Sequence, residues 1–284
     1  MNLTQKNTEH FNIISFSADE KIYYPSTIMQ KQSWMDDTYV PHSEMQFGLG
    51  HSRFGGPILD LTPNFKTPEN LCFAAQLDLA KFSPFDVHNL LPKQGQLIFF
   101  SDLLEDRGQV FYFDTSNTAL ERIYIEHEDH FFEGVLIKDI FSDQETFAER
   151  INLDADEDEQ WDYFAGSERS KIFGIFTHCQ KQKEEIEAIT HSEQVVLLQV
   201  GENGFNDEGV FSILISKSDL LNRNFNHCTF YWGTILNQQR LLDIHKLSNM
   251  FTLLSFFNPI QLAMPYSHKV RTACTINWTL NEGR

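Results

Sequence analysis

Six short runs constrain the fold of this chain more than any other feature. They are LCFAAQLDL (71–79), QLIFFSD (96–102), QVFYFD (109–114), ERIYIEH (121–127), QVVLLQV (194–200) and GVFSILIS (209–216). Each is rich in β-branched and aromatic residues and bounded by turn formers, the signature of strands buried on at least one face. Many of the 26 phenylalanines fall inside these runs. A phenylalanine so placed buries a large area and reads as core, not as a platform for stacking bases. Helical signals are fewer. Ser142 followed by Glu145 in SDQETFAER has the capping-box spacing and predicts a short helix over about 143–151. KQKEEIEAIT (181–190) carries helix formers with i,i+4 charge partners. The expectation is an α+β protein on antiparallel or mixed sheet with a few short helices.

The chain also echoes itself. SRFGG, AAQLD and GQLIFFSDL in the first half meet KIFGI, LLQVG and GVFSILISKSDL in the second, in the same order. Phe54-Gly55 answers Phe173-Gly174, Gln76 answers Gln199, Gly95 answers Gly209, and Asp102-Leu103 answers Asp219-Leu220. This predicts an internal duplication, with pseudo-repeats at about 45–130 and 165–233 forming two sheet units packed around a shared core.

GHSRFGGP (50–57) comes near two catalytic signatures. A phosphate-binding loop needs Lys and Ser/Thr where this chain has Gly56 and Pro57. A nucleophile elbow centred on Ser52 would need glycine where Phe54 stands. The stretch therefore reads as a tight turn behind a buried Phe. Gln76 and Gln199, each inside an apolar strand, must be hydrogen-bonded and are expected to tie a nearby turn to the sheet.

With 40 acidic against 22 basic residues the formal net charge is -18. Such a chain repels nucleic-acid backbones and anionic membrane surfaces, so neither is expected as a partner, whereas a basic protein suits the field. The polar N-terminus lacks the apolar core of a secretory signal, and the most apolar window, MFTLLSFFNPIQLAM (250–264), is too short to span a bilayer. Cys72, Cys179, Cys228 and Cys274 form no C-x-x-C pair. The expected compartment is the cytoplasm.

Metal candidates are weak. His127, His130 and Glu133 share a spacing of three, but a strand puts His127 and His130 on opposite faces. Asp154, Asp156 and Asp158 resemble the start of a calcium loop, yet Glu159 replaces its glycine and Ala165 its final carboxylate. No metal and no cofactor is expected.

The ordered motifs resemble the YwqG-like family, a bacterial domain family of unknown function. The resemblance rests on Ser52, Phe54, Gly55 and Gly56; Gln76; Leu91, Pro92, Gly95, Leu97, Phe99 and Phe100; Phe173, Gly174 and Gln180; Leu197, Leu198 and Gln199; Asp207 and Gly209; and Asp219, Leu220 and Phe225. It departs at Pro57, which follows the glycine pair directly, at Ile175-Phe176 where Tyr-Pro is usual, and at Asn206 where Gly is usual. The resemblance implies one duplicated domain over residues 1–238 in a cytoplasmic bacterial protein, and no particular reaction. Arg53 and Asp207, with Gln76 and Gln199, are the positions it marks for a binding site; their plainer roles are a surface cation and a turn carboxylate.

From Gln239 to Arg284 the acidic bias reverses, with Asp243 and Glu282 against Arg240, Lys246, Lys269, Arg271 and Arg284. This stretch reads as a C-terminal appendage, expected to be the least ordered part. The reading of function is a non-catalytic protein-interaction module, an accessory or immunity-like partner of a basic effector. The alternative is an enzyme or small-molecule binder with its pocket between the two halves.

Overall fold

The computed structural model describes residues 8–24, 29–33, 36–41, 47–102, 106–125, 134–156, 160–201 and 209–234. At its centre two long strands, β1 (His10–Tyr24) and β10 (Gly134–Thr146), run antiparallel, with Ile14 opposite Ser142 and Phe16 opposite Ile140. A wing of strands grows from each. Beside β10 lie β4 (Arg53–Phe54), β6 (Cys72–Asp78), β7 (Gln96–Asp102) and β8 (Arg107–Phe113). Beside β1 lie β11 (Lys171–Ile172), β12 (Gln194–Val200), β13 (Gly209–Ser216) and β14 (Thr229–Thr234). The hairpin of β2 (Met29–Ser33) and β3 (Asp36–Pro41) extends from β1, and β5 (Ile58–Leu61) pairs with β9 (Glu121–Tyr124) in a small separate sheet.

These findings correct the expected α+β class. The described residues are mostly β, in one continuous antiparallel sheet rather than two sheet units packed on each other, and a duplication is not established. The helices are short: Leu79–Phe82, Lys183–Thr190, Lys217–Leu221 and a few 3-10 turns. The helix expected over 143–151 is also corrected. Strand β10 continues to Thr146, and a 3-10 turn over Phe147–Arg150 follows, capped by Thr146 and Glu149. Both Ser142/Glu145 and Thr146/Glu149 fit the capping pattern. Pairing with β1 satisfies the backbone of 142–145 and so selects the later one.

The sheet curls so that one face of both wings encloses a single core. Phe54, Leu97, Phe99 and Val110 from one wing meet Leu197, Phe211, Ile213, Phe225 and Phe230 from the other, all in one cluster with Ile14 and Phe16. The end strands β8 and β14 come together there. Asp106 Oδ1 accepts from the Trp232 backbone N–H at 2.8 Å, and the rings of Tyr112 and Phe225 stand 5.7 Å apart. Gly108 permits this approach, since a Cβ there would lie 2.3 Å from Phe230 Cε1 and 2.4 Å from the Phe100 carbonyl.

Outer faces are covered separately. Leu59 and Leu61 of β5 pack over Phe73, Ile98 and Phe100. Phe147, Ile175, Phe176 and Ile186 pack over Val196 and Leu214. Register shifts between Phe73 and Ala75 and between Val196 and Leu198 turn two successive residues toward the core, so that Gln76 and Gln199 both face outward beneath these covers. That is why the two runs read as continuously apolar rather than alternating.

Gly108→Val should force β8 away from β14 and expose the Phe230 side of the core. The expected result is a loss of about 2 kcal/mol or more in chemical denaturation, of the order seen when a close-packed core is overfilled.

Candidate functional site

Two polar centres lie under the covers, one on each wing. The first is built around Arg53, which is buried, so its reading as a surface cation is corrected. Its Nε donates to the Ile58 carbonyl at 2.9 Å, Nη1 to the His51 carbonyl at 2.6 Å and Nη2 to Gln76 Oε1 at 2.7 Å. Asp60 Oδ2 lies 3.3 Å from Nη2. Arg122 clamps the same carboxylate, with Nε on Oδ1 at 2.7 Å and Nη2 on Oδ2 at 3.0 Å, while its guanidinium rests on the Phe47 ring. Burial pushes the Asp60 carboxyl up, but the Arg122 hydrogen bonds and the Arg53 charge outweigh it and hold the group below its ordinary value.

Gln76 completes this centre. Its amide donates to the Asp60 carbonyl at 2.9 Å and to Gln96 Oε1 at 3.0 Å, and its oxygen accepts from Arg53 and from the Asp60 N–H at 3.2 Å. Gln96 in turn donates to Asn117, and Asn117 to Asp78. The gap beside Arg53, walled by Phe47, Gly55, Gly56, Pro57 and Ile58, is too tight for a water.

This arrangement answers the question raised by GHSRFGGP. The Gly50 N–H is spent on Asp60 Oδ2 at 2.8 Å, the Gly55 N–H on the Ala74 carbonyl at 2.8 Å, and Ser52 Oγ accepts from the Asp78 N–H at 2.9 Å. Gly55 and Gly56 have φ of 43 and 83, which side chains tolerate poorly. The loop's donors point into the protein, where they hold Asp60 and the sheet.

The second centre gathers on Glu145, which is 2% exposed. Lys171 Nζ and the Ile175 N–H both donate to its Oε1, and Arg150 Nη2 donates to Oε2 at 3.4 Å. Lys171, wholly buried, also donates to the Ile175 carbonyl at 2.8 Å. Burial opposes the Glu145 charge, yet Lys171 and Arg150 keep its carboxyl below the ordinary value. Burial dominates at Lys171 and brings it down to about 8 despite Glu145. Phe173 and Gly174, at φ of 68 and 83, carry the chain over this carboxylate; a Cβ on Gly174 would stand 2.3 Å from Glu145 Oε1.

Beside Glu145 opens a pocket of about 320 Å³, lined by Glu145, Glu149, Arg150, Ala165, Gly166, Glu168 and Arg169. Gln199 lies behind its wall, donating to the carbonyls of Gly166 at 2.9 Å and Arg169 at 2.8 Å. Arg53 and Gln76 thus stand together, and Gln199 belongs to the other centre. Asp207 and the histidine set His127, His130 and Glu133 lie outside the described residues, as do Asp158 and the stretch 239–284.

The remaining motif residues act in the fold. Phe54 and Phe99 are core. Gly95 has φ of 93, and a Cβ there would meet the Phe113 carbonyl at 2.4 Å. Gln180 is exposed, and Gly209 opens β13. The Asp219 N–H donates to Ser216 Oγ at 3.0 Å, and its carboxylate accepts from Ser216 at 2.7 Å, fixing the helix Lys217–Leu221. The Cys228 thiol is pushed up to about 12, chiefly by burial, which keeps it protonated and a poor nucleophile at neutral pH. Among the described residues no group of His, Cys, Asp and Glu could hold a metal, and no helix is long and apolar enough to cross a membrane.

Asp60, Glu145, Arg150, Arg169 and Lys171 were not marked by sequence reasoning. The available signal was a basic residue just before Phe-Gly in one segment and before Ile-Phe-Gly in the other, Arg53 and Lys171.

The model of the family described as a domain of unknown function, DUF1963, matches residues 52–233. The chain belongs to that family. No curated protein matches it. The DUF1963 match takes in Arg53, Gln76 and Asp60 of the first centre and Glu145, Lys171 and Gln199 of the second. Strand β1, against which both wings are arranged, lies before it.

Gln76→Ala removes the acceptor at 2.7 Å from Arg53 Nη2, which keeps Asp60 at 3.3 Å, and the donor to Gln96 Oε1, and should cost about 3 kcal/mol in denaturant unfolding. Gln199→Ala removes two hydrogen bonds and should cost about 1 kcal/mol. Two thermally neutral variants would show that these amides tie nothing to the sheet.

Lys171→Met leaves Glu145 short of its main counter-charge and should cost about 3 kcal/mol, with Lys171→Met/Glu145→Gln recovering part of the loss. In the wild type, Lys171 is depressed from an ordinary value of 10.5 to about 8. Between these values the unfolded chain holds its proton more tightly, so the Lys171 contribution to stability rises with pH. Subtracting the Lys171→Met denaturation midpoints from wild type across pH 7–10 should show that rise.

Proposed function

We propose that this DUF1963 protein is a non-catalytic module that binds a basic protein in the cytoplasm, in an accessory or immunity-like role. The carrying observation is how its charges are partitioned. Arg53, Arg150 and Lys171 are buried in the two centres, whereas Glu149, Asp154, Asp156, Asp162, Glu168, Glu184, Glu185 and Glu193 are exposed along the segment between β10 and β12. Asp60, Asp78, Asp86 and Glu145 are buried as well, so it is the exposed carboxylates of this segment, in a chain of formal charge -18, that favour encounter with a cationic surface and discriminate against anionic ones. The narrower YwqG-like assignment is supported by the ordered motif residues, of which Phe54, Gly55, Gly56, Gln76, Phe173, Gly174 and Gln199 build the two centres and their turns.

A pocket between the wings has less support, because that space is filled by Phe54, Phe99, Phe211 and Phe230. Small-molecule binding keeps one observation in its favour, the charged pocket on the outer side at Glu145.

Affinity capture with the tagged full chain from its native host, at low and moderate salt, tests the protein-binding reading. A basic partner should be retained at low salt, released at moderate salt, and lost from a variant carrying Asp154→Lys, Asp156→Lys, Glu184→Lys and Glu185→Lys. Retention that ignores both salt and charge reversal, or capture of no basic protein at either salt, would overturn the proposal.

A further inference from the structure

A continuous outer face leads from the last strand of the second wing to the paired segments around Ile151 and Trp161. Gly233, one residue before β14 ends, lies against the backbone of His178 and Cys179; a Cβ there would stand 3.0 Å from the Cys179 nitrogen. Lys181 Nζ is 5.6 Å from the centre of the Tyr231 ring, which puts the end of β14 beside the turn into the helix Lys183–Thr190. That turn is joined to the next segment. The Tyr163 hydroxyl donates to Gln182 Oε1 at 2.9 Å, and Lys183 Nζ is 5.8 Å from the centre of the Trp161 ring. Trp161 pairs antiparallel with Ile151, which brings Leu153 and Asp154 to the same side of the wing.

This face is apolar and acidic together. Leu153 and Phe164 are 81% and 46% exposed. Close to them in the chain Asp154, Asp156 and Asp162 are exposed, as is Glu184 on the helix, and none of the four makes an ion pair among the described residues. The nearby lysines are already engaged, Lys181 with Glu185 and Lys183 with Glu187. What suits such a surface is a segment that is basic and apolar together, since charge draws it in and apolar area holds it.

The sequence supplies that segment directly downstream. Residues 239–284 carry Arg240, Lys246, Lys269, Arg271 and Arg284 against Asp243 and Glu282, in a chain of 40 acidic and 22 basic residues. Between Lys246 and Lys269 stands the run MFTLLSFFNPIQLAM (250–264), whose phenylalanines and leucines gain by leaving water. The tether decides which surface these groups meet first. Arg240 and Lys246 follow so soon after Thr234 that even a fully extended chain keeps them within about 20 Å and about 40 Å of the end of β14. A segment held this way meets its site at an effective concentration of about a millimolar, ahead of any free partner.

We propose that this face is the docking site of the chain's own stretch 239–284, its basic groups on Asp154, Asp156, Asp162 and Glu184 and its apolar run over Leu153 and Phe164. The contact lies within one chain and needs no partner protein. Under the protein-binding reading, and resting on it, the same stretch competes with a basic partner for this face. The isolated chain reports the internal contact alone, whereas affinity capture reports the partner, so the two outcomes are distinguishable.

Carbodiimide coupling of the full chain, which joins an amine to a carboxylate in direct contact, followed by peptide mass spectrometry, tests the assignment. Lys246 and Lys269 should couple to Asp154, Asp156, Asp162 or Glu184 within single chains, and much less to Glu69, Glu121 and Asp143, which are exposed on other elements. Arg240→Glu with Arg271→Glu leaves both lysines and the whole sheet unchanged and should lose most of that coupling. Leu153→Ser with Phe164→Ser, both at exposed positions, should lower it as well. Coupling spread evenly over the exposed acids of both wings, coupling found only between two chains, no coupling of either lysine to this face, or a yield untouched by both paired variants would overturn the assignment.

Discussion

Strand β1 pairs with β10 from His10 opposite Thr146 to Tyr23 opposite Gly134, and the rest of the sheet is arranged outward from that pair. β4 hydrogen-bonds to β10 through Arg53 and Phe54, and β11 to β1 through Lys171 and Ile172. Both contacts are two residues long, so neither wing is anchored by a long ladder at its root. What fixes them is chemistry on the outer face and packing on the inner one. Closing β1 onto β10 spans a long stretch of chain, an entropic cost that local contacts cannot offset. The apolar cluster shared by both wings supplies the return, because it forms when the sheet has curled and β8 has met β14.

At each short root the chain places a buried cation, Arg53 or Lys171, and a partner amide opposite it on the neighbouring strand, Gln76 or Gln199. The two solutions diverge from there. Around Arg53 the acid comes from β5, two arginines share it, and the Gln76 donors and acceptor are all engaged. Around Lys171 the acid comes from the end of β10, and the Gln199 oxygen remains without a hydrogen-bond partner. One centre is closed; the other opens onto a pocket. A buried charge pair of this kind adds little net stability over an apolar substitute, but it penalises any arrangement that separates its members. Positions 53 and 171 therefore define how each cover sits on its wing.

The strands were legible because their pattern is local. QLIFFSD, QVVLLQV and GVFSILIS coincide with β7, β12 and β13, and KQKEEIEAIT with the helix Lys183–Thr190. The central pair was not legible. GVLIKDIFSDQET mixes exposed Lys138, Asp139 and Asp143 with buried Val135 and Ile137, and its partner lies more than a hundred residues away. Glu145 looked like a capping residue because S-x-x-E is satisfied locally at two registers, and only β1 decides between them. Arg53 looked like a surface cation for the same reason: the groups that make its burial tolerable, Asp60 and Gln76, are remote in pattern though near in space. The mixed class followed from weighting two helical signals as elements, when the structure uses them as a short cover and a single capped turn.

The placement of charge links this architecture to recognition. The basic side chains at both roots are buried together with acids, Asp60 and Glu145 in the centres and Asp78 and Asp86 elsewhere, so burial leaves the acidic excess of the composition about as it was. The segment between β10 and β12 does two things at once. Its apolar side, Phe147, Ile175, Phe176 and Ile186, seals the second wing, and its outward side carries carboxylates from Glu149 to Glu193. A cationic partner drawn to this face, as proposed, would meet Glu149 and Glu168, which also line the pocket beside Glu145. Salt would weaken that attraction through screening over about 10 Å.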